Sequence, residues 1–390
     1  MMTLAVSIVV AASLHPTSQV QMSQATEPTA VANTTIDDIT RKIESDRLSD
    51  ATLAELYAER GDLLAQRGQS EEAISDYDHA IAIEGSFAKA YSHRGMVLSR
   101  EGKFDQAIQD FGRAIAFGAG DTDLFKYYGN RGRAWNSKHE YGRAIDDFNR
   151  AIALSSTEAA LYLLRGNAWL NSQDTTRAMA DYDQAIGLDP NIAVAYERRG
   201  LLKQQASRYS DALHDFDHAI KLDPMGAAGY ADRGALLAQM EQYHQGIADL
   251  NRAISLDPKH ATAYASRGWA LTEIGEYPLA LADLNKAIEI DPTVAMAFNN
   301  RGLLYLRTAQ YILAIEDFDR AISLDSRLGL AFVNRGLAKI GLGRCSDGSA
   351  DVHLGLLLRP SLSDKVLDDS RTFMRRSQCS SLIDLLPART

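Results

Sequence analysis

The chain has 390 residues, of which 46% are hydrophobic and 24% are charged, and its formal net charge is −10. A chain this apolar with only 9 prolines is not expected to be largely disordered. Its acidic balance argues against general binding to the phosphate backbone of nucleic acids.

The first 34 residues precede the regular part of the sequence. Residues 4–14 form an apolar run that resembles the centre of a secretory signal peptide but is too short to span a bilayer. No basic residue precedes it and no clear cleavage site follows, so an unstructured apolar start is the alternative. We predict a signal-like segment and a polar linker at 1–34. This favours an exported or periplasmic location over the cytoplasm, without stable membrane insertion.

A short helix is predicted before the repeats begin. Ile36, Ile39 and Ile43 follow the spacing of one helical face. We expect residues 35–53 to contain an N-terminal capping helix that covers the first repeat.

The rest of the chain is an internal repeat. The dipeptide Arg-Gly recurs nine times in register, and every interval is 34 residues except the second, which is 37 because of an insertion near Gly118. The nine pairs are Arg60-Gly61, Arg94-Gly95, Arg131-Gly132, Arg165-Gly166, Arg199-Gly200, Arg233-Gly234, Arg267-Gly268, Arg301-Gly302 and Arg335-Gly336.

Each repeat predicts two packed helices, A and B. We number positions so that the glycine of Arg-Gly is position 8. In the fourth repeat, Tyr162 is at position 4, Ala178 at 20, Tyr182 at 24 and Ala185 at 27, and Pro190 at position 32 ends helix B. Small residues at positions 8, 20 and 27 allow helices A and B to approach closely, and the rings at positions 4 and 24 fill the space beside this contact. One pair buries little alone, so the repeats must stack.

This pattern resembles the tetratricopeptide repeat family over residues 54–362. The resemblance implies an all-α, right-handed superhelical solenoid of antiparallel helix pairs. It has nine repeats at 54–362 and terminal capping helices, the C-terminal one at 363–390. Two features depart from the family. Arginine replaces leucine at position 7, and helix B of the ninth repeat is degraded around Cys345 and Gly348.

A charged ladder is predicted along the helices. Position 7 is arginine and position 23 is aspartate in every repeat, and both lie on buried stripes. Since a partly buried guanidinium needs a carboxylate, we expect pairs within a repeat or between neighbours that fix the stacking register. The alternative is an anion-binding strip of free arginines. The central members are Arg165, Arg199, Arg233 and Arg267 with Asp181, Asp215, Asp249 and Asp283.

The family resemblance implies a concave groove lined by helix A positions 2, 5, 9, 12 and 13. The candidate partner-binding residues are Lys89, Arg100, Lys126, Arg133, Asn167, Asn171, Gln204 and Trp269. The first four form a basic patch, which suggests a peptide that is acidic toward one end. In repeats 8 and 9 these positions are apolar, and we expect the chain's own tail to cover them. Position 5 has no lysine in repeats 1–5, which argues against the carboxylate-gripping, chaperone-binding branch of the family.

No catalytic site, metal site or cofactor is predicted. His214 and His218 have a metal-compatible spacing, but no third ligand is evident. Cys345 and Cys379 are 34 residues apart, so a disulfide requires the tail to leave the repeat register.

We therefore predict a scaffold that binds a partner protein or peptide, with no enzymatic activity and no nucleic-acid binding. The oligomeric state is left open. The alternative is a non-catalytic targeting or substrate-recognition subunit of a multi-protein enzyme complex.

Overall fold

The computed structural model describes residues 30–45, 48–358, 371–373, 375 and 379. Within these residues the regular secondary structure is helical and no strand occurs. The helices are α1 Ala30–Ile43, α2 Asp50–Gln66, α3 Ser70–Ile83, α4 Ala88–Arg100, α5 Phe104–Phe117, α6 Leu124–Ser137, α7 Tyr141–Leu154, α8 Ala159–Asn171, α9 Thr175–Leu188, α10 Ala193–Gln205, α11 Tyr209–Leu222, α12 Ala227–Gln239, α13 Tyr243–Leu256, α14 Ala261–Glu273, α15 Tyr277–Ile290, α16 Ala295–Arg307, α17 Tyr311–Leu324, α18 Gly329–Gly341 and α19 Cys345–Leu358.

From α2 onward the helices form adjacent antiparallel pairs, one pair for each repeat. The even-numbered helices are the A helices and the odd-numbered ones are the B helices. The all-α class and the stacked helix pairs predicted from the sequence are therefore confirmed. The described helices group into two compact units, with the boundary between Ala195 and Tyr196 inside α10. We call them the N-terminal unit (repeats 1–4) and the C-terminal unit (repeats 5–9).

The close contact between helices A and B explains the glycine at position 8. A Cβ added to Gly166 would lie 2.7 Å from the Tyr182 ring, and one added to Gly302 would lie 2.7 Å from the Phe318 ring. These are among the largest fully buried side chains in the described residues. The ring at position 24 thus fills the space that the missing side chain leaves, and the small residue at position 20 is fully buried in most repeats.

The turn from helix A to helix B needs a left-handed backbone. Position 15 has a φ angle between 58° and 86° in all nine repeats. Glycine adopts this conformation without strain, whereas other residues pay roughly 1 kcal/mol for it. The glycines are Gly68, Gly102, Gly275 and Gly343, and the other residues are His139, Gln173, Ser207, Glu241 and Ala309.

Helix α1 packs on the first repeat. Ile39 is buried, and Ile36 packs against Leu64 and Tyr77. The predicted signal-like segment lies outside the described residues. Of the predicted C-terminal segment, the structure describes only residues 371–373, 375 and 379. Among the described helices, none has both the length and the apolar character required to cross a membrane.

Candidate functional site

Every repeat contains a bidentate ion pair between positions 7 and 23. In the fourth repeat, Nε and Nη2 of Arg165 donate to the two carboxylate oxygens of Asp181 at 2.8 and 2.7 Å. The pairs of the other predicted members have the same form at 2.7–2.9 Å: Arg199–Asp215, Arg233–Asp249 and Arg267–Asp283. The aspartate side chains are 0–14% exposed. The hydrogen bonds that they donate to the aspartate carboxylates raise the pKa of Arg165, Arg233 and Arg267, so these guanidinium groups stay charged.

The third nitrogen of the guanidinium extends the pair into the preceding repeat. Arg233 Nη1 donates to Asp217 at 2.8 Å, and Arg267 Nη1 donates to Asn251 at 2.7 Å. Both acceptors are at position 25. The same contact joins Arg94 to Asp78, Arg165 to Asn149, Arg301 to Asn285 and Arg335 to Asp319. The arginine therefore joins helix B of its own repeat to helix B of the repeat before it.

One junction lacks this link. Position 25 of repeat 2 is Gly112, and the Nη1 atom of Arg131 would lie 3.8 Å from a Cβ added there. Arg131 keeps its bidentate pair with Asp147. At the start of the array, Thr40 of α1 supplies the acceptor for Arg60 at 3.0 Å. Position 25 is polar in most repeats, so this second contact could have been read from the sequence.

The ring at position 4 also belongs to this charged layer. In all nine repeats the guanidinium at position 7 lies over that ring. A second group, at position 26, stacks on the ring in several repeats, as Arg113 does on Tyr91. His218 occupies this position and stacks on Tyr196 with 5.3 Å between ring centroids. The His214/His218 spacing therefore has a packing explanation. No group of three or more metal-ligating side chains occurs in the part of the chain that the structure describes.

The predicted basic patch is exposed on helices α4 and α6. Lys89, Arg100, Lys126 and Arg133 are all exposed, and Lys126 pairs with Asp123 at 2.7 Å. Although part of the Arg133 side chain contacts solvent, burial of its guanidinium lowers the pKa of Arg133, and the positive charge of Arg100 lowers it further. The two arginines are thus neighbours, and within the described residues neither has a hydrogen bond or ion pair.

Two orphaned polar groups lie on the A helices of repeats 1 and 2. The buried Oγ of Ser99, next to Arg100 in sequence, has no hydrogen-bond partner in the described part of the chain. The same holds for Nε and Nη2 of Arg67, the residue that follows α2 as its C-cap. Unpaired buried polar atoms cost about 1–3 kcal/mol each, so these two groups are a local cost to the fold. Neither residue was among the sequence candidates.

A hydrogen-bonded network borders the patch on the side of repeat 1. The Tyr77 hydroxyl donates to Asp62 Oδ1 at 2.8 Å, and His93 Nδ1 contacts the same oxygen. In the fourth repeat Tyr182 donates in the same way to Asn167 Oδ1 at 2.8 Å. A tyrosine at position 24 therefore occurs with an acceptor at position 9. Sequence reasoning missed this correlation, although both positions were readable. In repeat 4, the hydrogen bond from Tyr182 engages the side-chain oxygen of Asn167 within the fold.

Two other groove candidates are not at the surface. Gln204 is 4% exposed and donates to Gln239 at 2.8 Å, whereas Trp269 is 3% exposed and donates to Glu273 at 3.2 Å. The sequence placed both in an open groove, because position alone gives the direction of a side chain and not what packs against it. Asn171 is half-buried and donates to Asn136 at 3.2 Å.

The apolar end of the array is buried, and Cys345 forms a disulfide with Cys379. The sequence argument held that neighbouring repeats would place these residues too far apart unless the tail left the repeat register. Their Cα atoms are 5.2 Å apart, so Cys379 itself does not occupy the equivalent position of a further repeat. Phe373 and Cys379 pack against the hydrophobic cluster of the last repeats.

A pair of carboxylates lies on helices α10 and α12. Burial, followed by the negative charge of Glu197, raises the pKa of Asp232 to about 8. Arg198 opposes this shift, and burial also raises the pKa of Glu197. These groups have no assigned role in binding.

Similarity to one solved structure supports the fold. A tetratricopeptide repeat protein from Parabacteroides merdae matches with a TM-score of 0.54 and 19% identity over 64% of this chain and 98% of its own. PilF of Pseudomonas aeruginosa matches with a TM-score of 0.48 and 18% identity, over 54% of this chain and 94% of its own. Yeast Tom70 matches with a TM-score of 0.43 and 14% identity, over 88% of this chain and 85% of its own. No curated protein sequence matches the chain.

Models of known protein families match most of the repeat array. Models described as tetratricopeptide repeat match residues 58–123, 130–191, 227–260 and 296–327, and one described as TPR repeat matches 268–308. Together these matches cover more than half of the chain. Members of this family are generally protein-interaction scaffolds without catalytic activity. Together with the helix pairs described above, these family-model matches show that the chain belongs to the tetratricopeptide repeat family.

Proposed function

We propose that this protein is a non-catalytic scaffold that binds an acidic peptide segment of a partner protein on the A helices of repeats 2 and 3. The observation that carries the proposal is the neighbouring pair Arg100 and Arg133, neither of which forms a salt bridge within the described residues. The repulsion between two like charges held close together is relieved when an anionic group binds between them.

The charge of the whole chain sharpens this preference. With a net charge of −10, most of the surface repels an acidic segment, so attraction is confined to the patch. Lys89 adds a further exposed positive charge, while Lys126 is partly neutralised by Asp123. A protein segment therefore fits the site.

A peptide-binding assay tests the proposal. The probe is a fluorescein-labelled decapeptide of alternating glutamate and leucine, and the measurement is anisotropy at two salt concentrations. We expect the double variant Arg100→Glu with Arg133→Glu to bind at least about tenfold more weakly than wild type, because two attractive contacts become repulsive. Wild-type binding should also weaken as salt rises.

The matched control reverses two exposed lysines away from the patch, Lys221→Glu with Lys259→Glu, which changes the net charge equally. If both double variants weaken binding alike, the effect is one of net charge and the proposed site is wrong. Affinity capture from the source cells, repeated with the same variants, then tests whether one specific protein depends on the patch. A gel shift with RNA that Arg100→Glu abolishes would instead point to nucleic acid.

A further inference from the structure

The B helices of repeats 2 and 3, α5 and α7, meet at the junction where the ladder lacks an acceptor. At six other junctions Nη1 of the arginine at position 7 donates to an aspartate or asparagine at position 25 of the preceding repeat. Here position 25 is Gly112. The other two nitrogens of the Arg131 guanidinium donate to Asp147 at 2.8 Å. Nη1 of Arg131 therefore remains a donor that no described residue engages.

The space beside Gly112 is open and borders Arg131. Apart from its own helix and chain neighbours, a Cβ added to Gly112 would meet one heavy atom within 4 Å among the described residues, Nη1 of Arg131 at 3.8 Å. The Arg131 side chain is 22% exposed, so an external group can reach it. At five other junctions the acceptor oxygen lies 2.7–2.8 Å from this nitrogen. An oxygen from another molecule can occupy the equivalent position here.

Two further arginines add positive charge beside this space. Arg113 directly follows Gly112 on α5. Arg150 and Arg131 lie over the same ring, that of Tyr128, at 5.7 and 5.6 Å from its centre. Both Arg113 and Arg150 are exposed, and neither forms a salt bridge or a side-chain hydrogen bond in the part of the chain that the structure describes. Because only Arg131 is paired with a carboxylate, two unpaired positive charges remain, which a dianion would balance.

An exposed apolar side chain lies one helical turn beyond each of these two arginines. Phe117 follows Arg113 on α5, and Leu154 follows Arg150 on α7, both at i, i+4 spacing. Phe117 is 48% exposed and Leu154 is 54% exposed, and they are the exposed large hydrophobic side chains among the described residues of the N-terminal unit. A free anion makes no use of them, whereas an apolar residue beside an anionic group can pack on them. The surface therefore favours a protein segment.

We propose that Gly112, Arg113, Arg131 and Arg150, which we call the Gly112 site, bind a phosphorylated side chain of a partner protein. A phosphate monoester carries a charge of about −2 at pH 7 and presents three acceptor oxygens. One oxygen accepts from Nη1 of Arg131, where position 25 supplies the acceptor in other repeats. The remaining charge is balanced by Arg113 and Arg150, and an apolar residue of the same segment packs on the exposed apolar side chains. A carboxylate can accept the same hydrogen bond, but it carries half the charge.

Fluorescence anisotropy with two short labelled peptides tests the Gly112 site. One peptide has a central phosphoserine with a leucine two residues to either side and alanine elsewhere, and the other has serine at its centre. At constant ionic strength we expect wild type to bind the phosphorylated peptide at least about tenfold more tightly, because charge-assisted hydrogen bonds are added. Gly112→Asp should reduce this preference to about threefold or less, because its carboxylate accepts from Arg131 and repels phosphate. An undiminished preference in this variant, or equal binding of both peptides by wild type, would overturn the proposal.

The matched control is Gly142→Asp, which adds the same charge at an exposed helical glycine whose added Cβ would meet no atom within 4 Å. This variant should keep the preference for phosphoserine, and an equal loss would mean that net charge alone is responsible. Arg113→Gln with Arg150→Gln should weaken binding of the phosphorylated peptide at least about fivefold, and unchanged binding would refute the site. The double variant of the basic patch on α4 and α6 should leave the preference intact. If it removes the preference, phosphate binds that patch and the Gly112 site is wrong.

Inorganic phosphate distinguishes a phosphate carried by a protein segment from a free ion. Phe117→Ala with Leu154→Ala should weaken binding of the phosphorylated peptide at least about threefold, because the leucines lose their apolar contacts. The same variant should bind inorganic phosphate, titrated calorimetrically, as wild type does. If peptide binding is unchanged as well, the apolar side chains take no part and the assignment to a protein segment is wrong.

Discussion

The A helices of repeats 2 and 3 differ from those of repeats 8 and 9 at the same positions. At position 9, repeats 2 and 3 have half-buried Met96 and exposed Arg133, whereas repeats 8 and 9 have fully buried Leu303 and Leu337. Position 2 shows the same contrast, with exposed lysines in repeats 2 and 3 and buried Met296 and Leu330 in repeats 8 and 9. The helix pairs themselves are built alike.

The comparison shows that the array separates two kinds of position. Glycine at 8 and the side chain at 24 determine how helix A meets helix B in both regions. Arginine at 7 and aspartate at 23 likewise pair in both. In these four repeats positions 2, 9, 12 and 13 are not used for this purpose, so they can be charged and open in one region and apolar and closed in another.

The largest expected effect comes from truncating position 9 in the two regions. Leu303→Ala should lower stability by about 2–5 kcal/mol, because it leaves a cavity in a fully buried cluster. Met96→Ala should cost about 1 kcal/mol or less, because Met96 is only half-buried. Urea unfolding monitored by circular dichroism gives both values. Equal losses would remove the distinction between the two regions.

A second comparison uses two arginines of helix α6. Arg131→Ala should cost about 2–4 kcal/mol, because it leaves the largely buried carboxylate of Asp147 unpaired. Arg133→Ala should be neutral or slightly stabilising, since it removes a charge next to Arg100. Thermal unfolding of the two variants measures the difference. If Arg131→Ala is silent, the pair is solvated and the ladder does not stabilise the array.

Asp232 gives a prediction about pH. Its pKa is about 8 in the folded state and about 4 when unfolded, so between these values the folded protein binds more protons. Stability from this group is complete below pH 4 and is lost as pH rises toward 8, by roughly 2 kcal/mol after allowance for partial solvent contact. Asp232→Asn should remove that loss, and its melting temperature should exceed that of wild type at pH 8. The exposed carboxyl of Asp211 provides the control, and Asp211→Asn should leave the slope unchanged.

The smallest expected effect is at the junction that lacks a ladder contact. Gly112→Asp should stabilise the N-terminal unit by about 1 kcal/mol, because it supplies the acceptor that Arg131 lacks and removes a helix-interior glycine. Gly112→Ala isolates the propensity effect. In an Arg131→Lys background the advantage of aspartate over alanine should vanish. If that advantage persists, the gain does not come from the proposed contact.

Most of the fold could be predicted because its determinants are periodic. Glycine at 8 and the ring at 24 recur at fixed spacing, and their close contact is the physical reason for the recurrence. The charged pairs were readable for the same reason. The acceptor at position 25 was readable too, but sequence reasoning assigned each arginine to one partner and overlooked the third nitrogen.

The burial of side chains on the A helices could not be predicted from the spacing of residues in the sequence. Periodicity gives the direction in which Gln204 or Trp269 points, whereas burial depends on neighbouring repeats and on segments distant in sequence. The disulfide is a further example, because Cys379 lies beyond the last regular repeat, where the period of the sequence predicts no position for it. The exposure of the basic patch agrees with its expected position, and its role in binding remains the prediction that the peptide assay tests.

The glycine at position 112 has a mechanical consequence. It deprives the junction between repeats 2 and 3 of the hydrogen bond that fastens most other junctions, so one polar link fewer joins helix α5 to helix α7. Arg100 and Arg133 belong to the two repeats that this junction joins. An anionic segment that bridges them would supply a polar link between repeats where the ladder omits one.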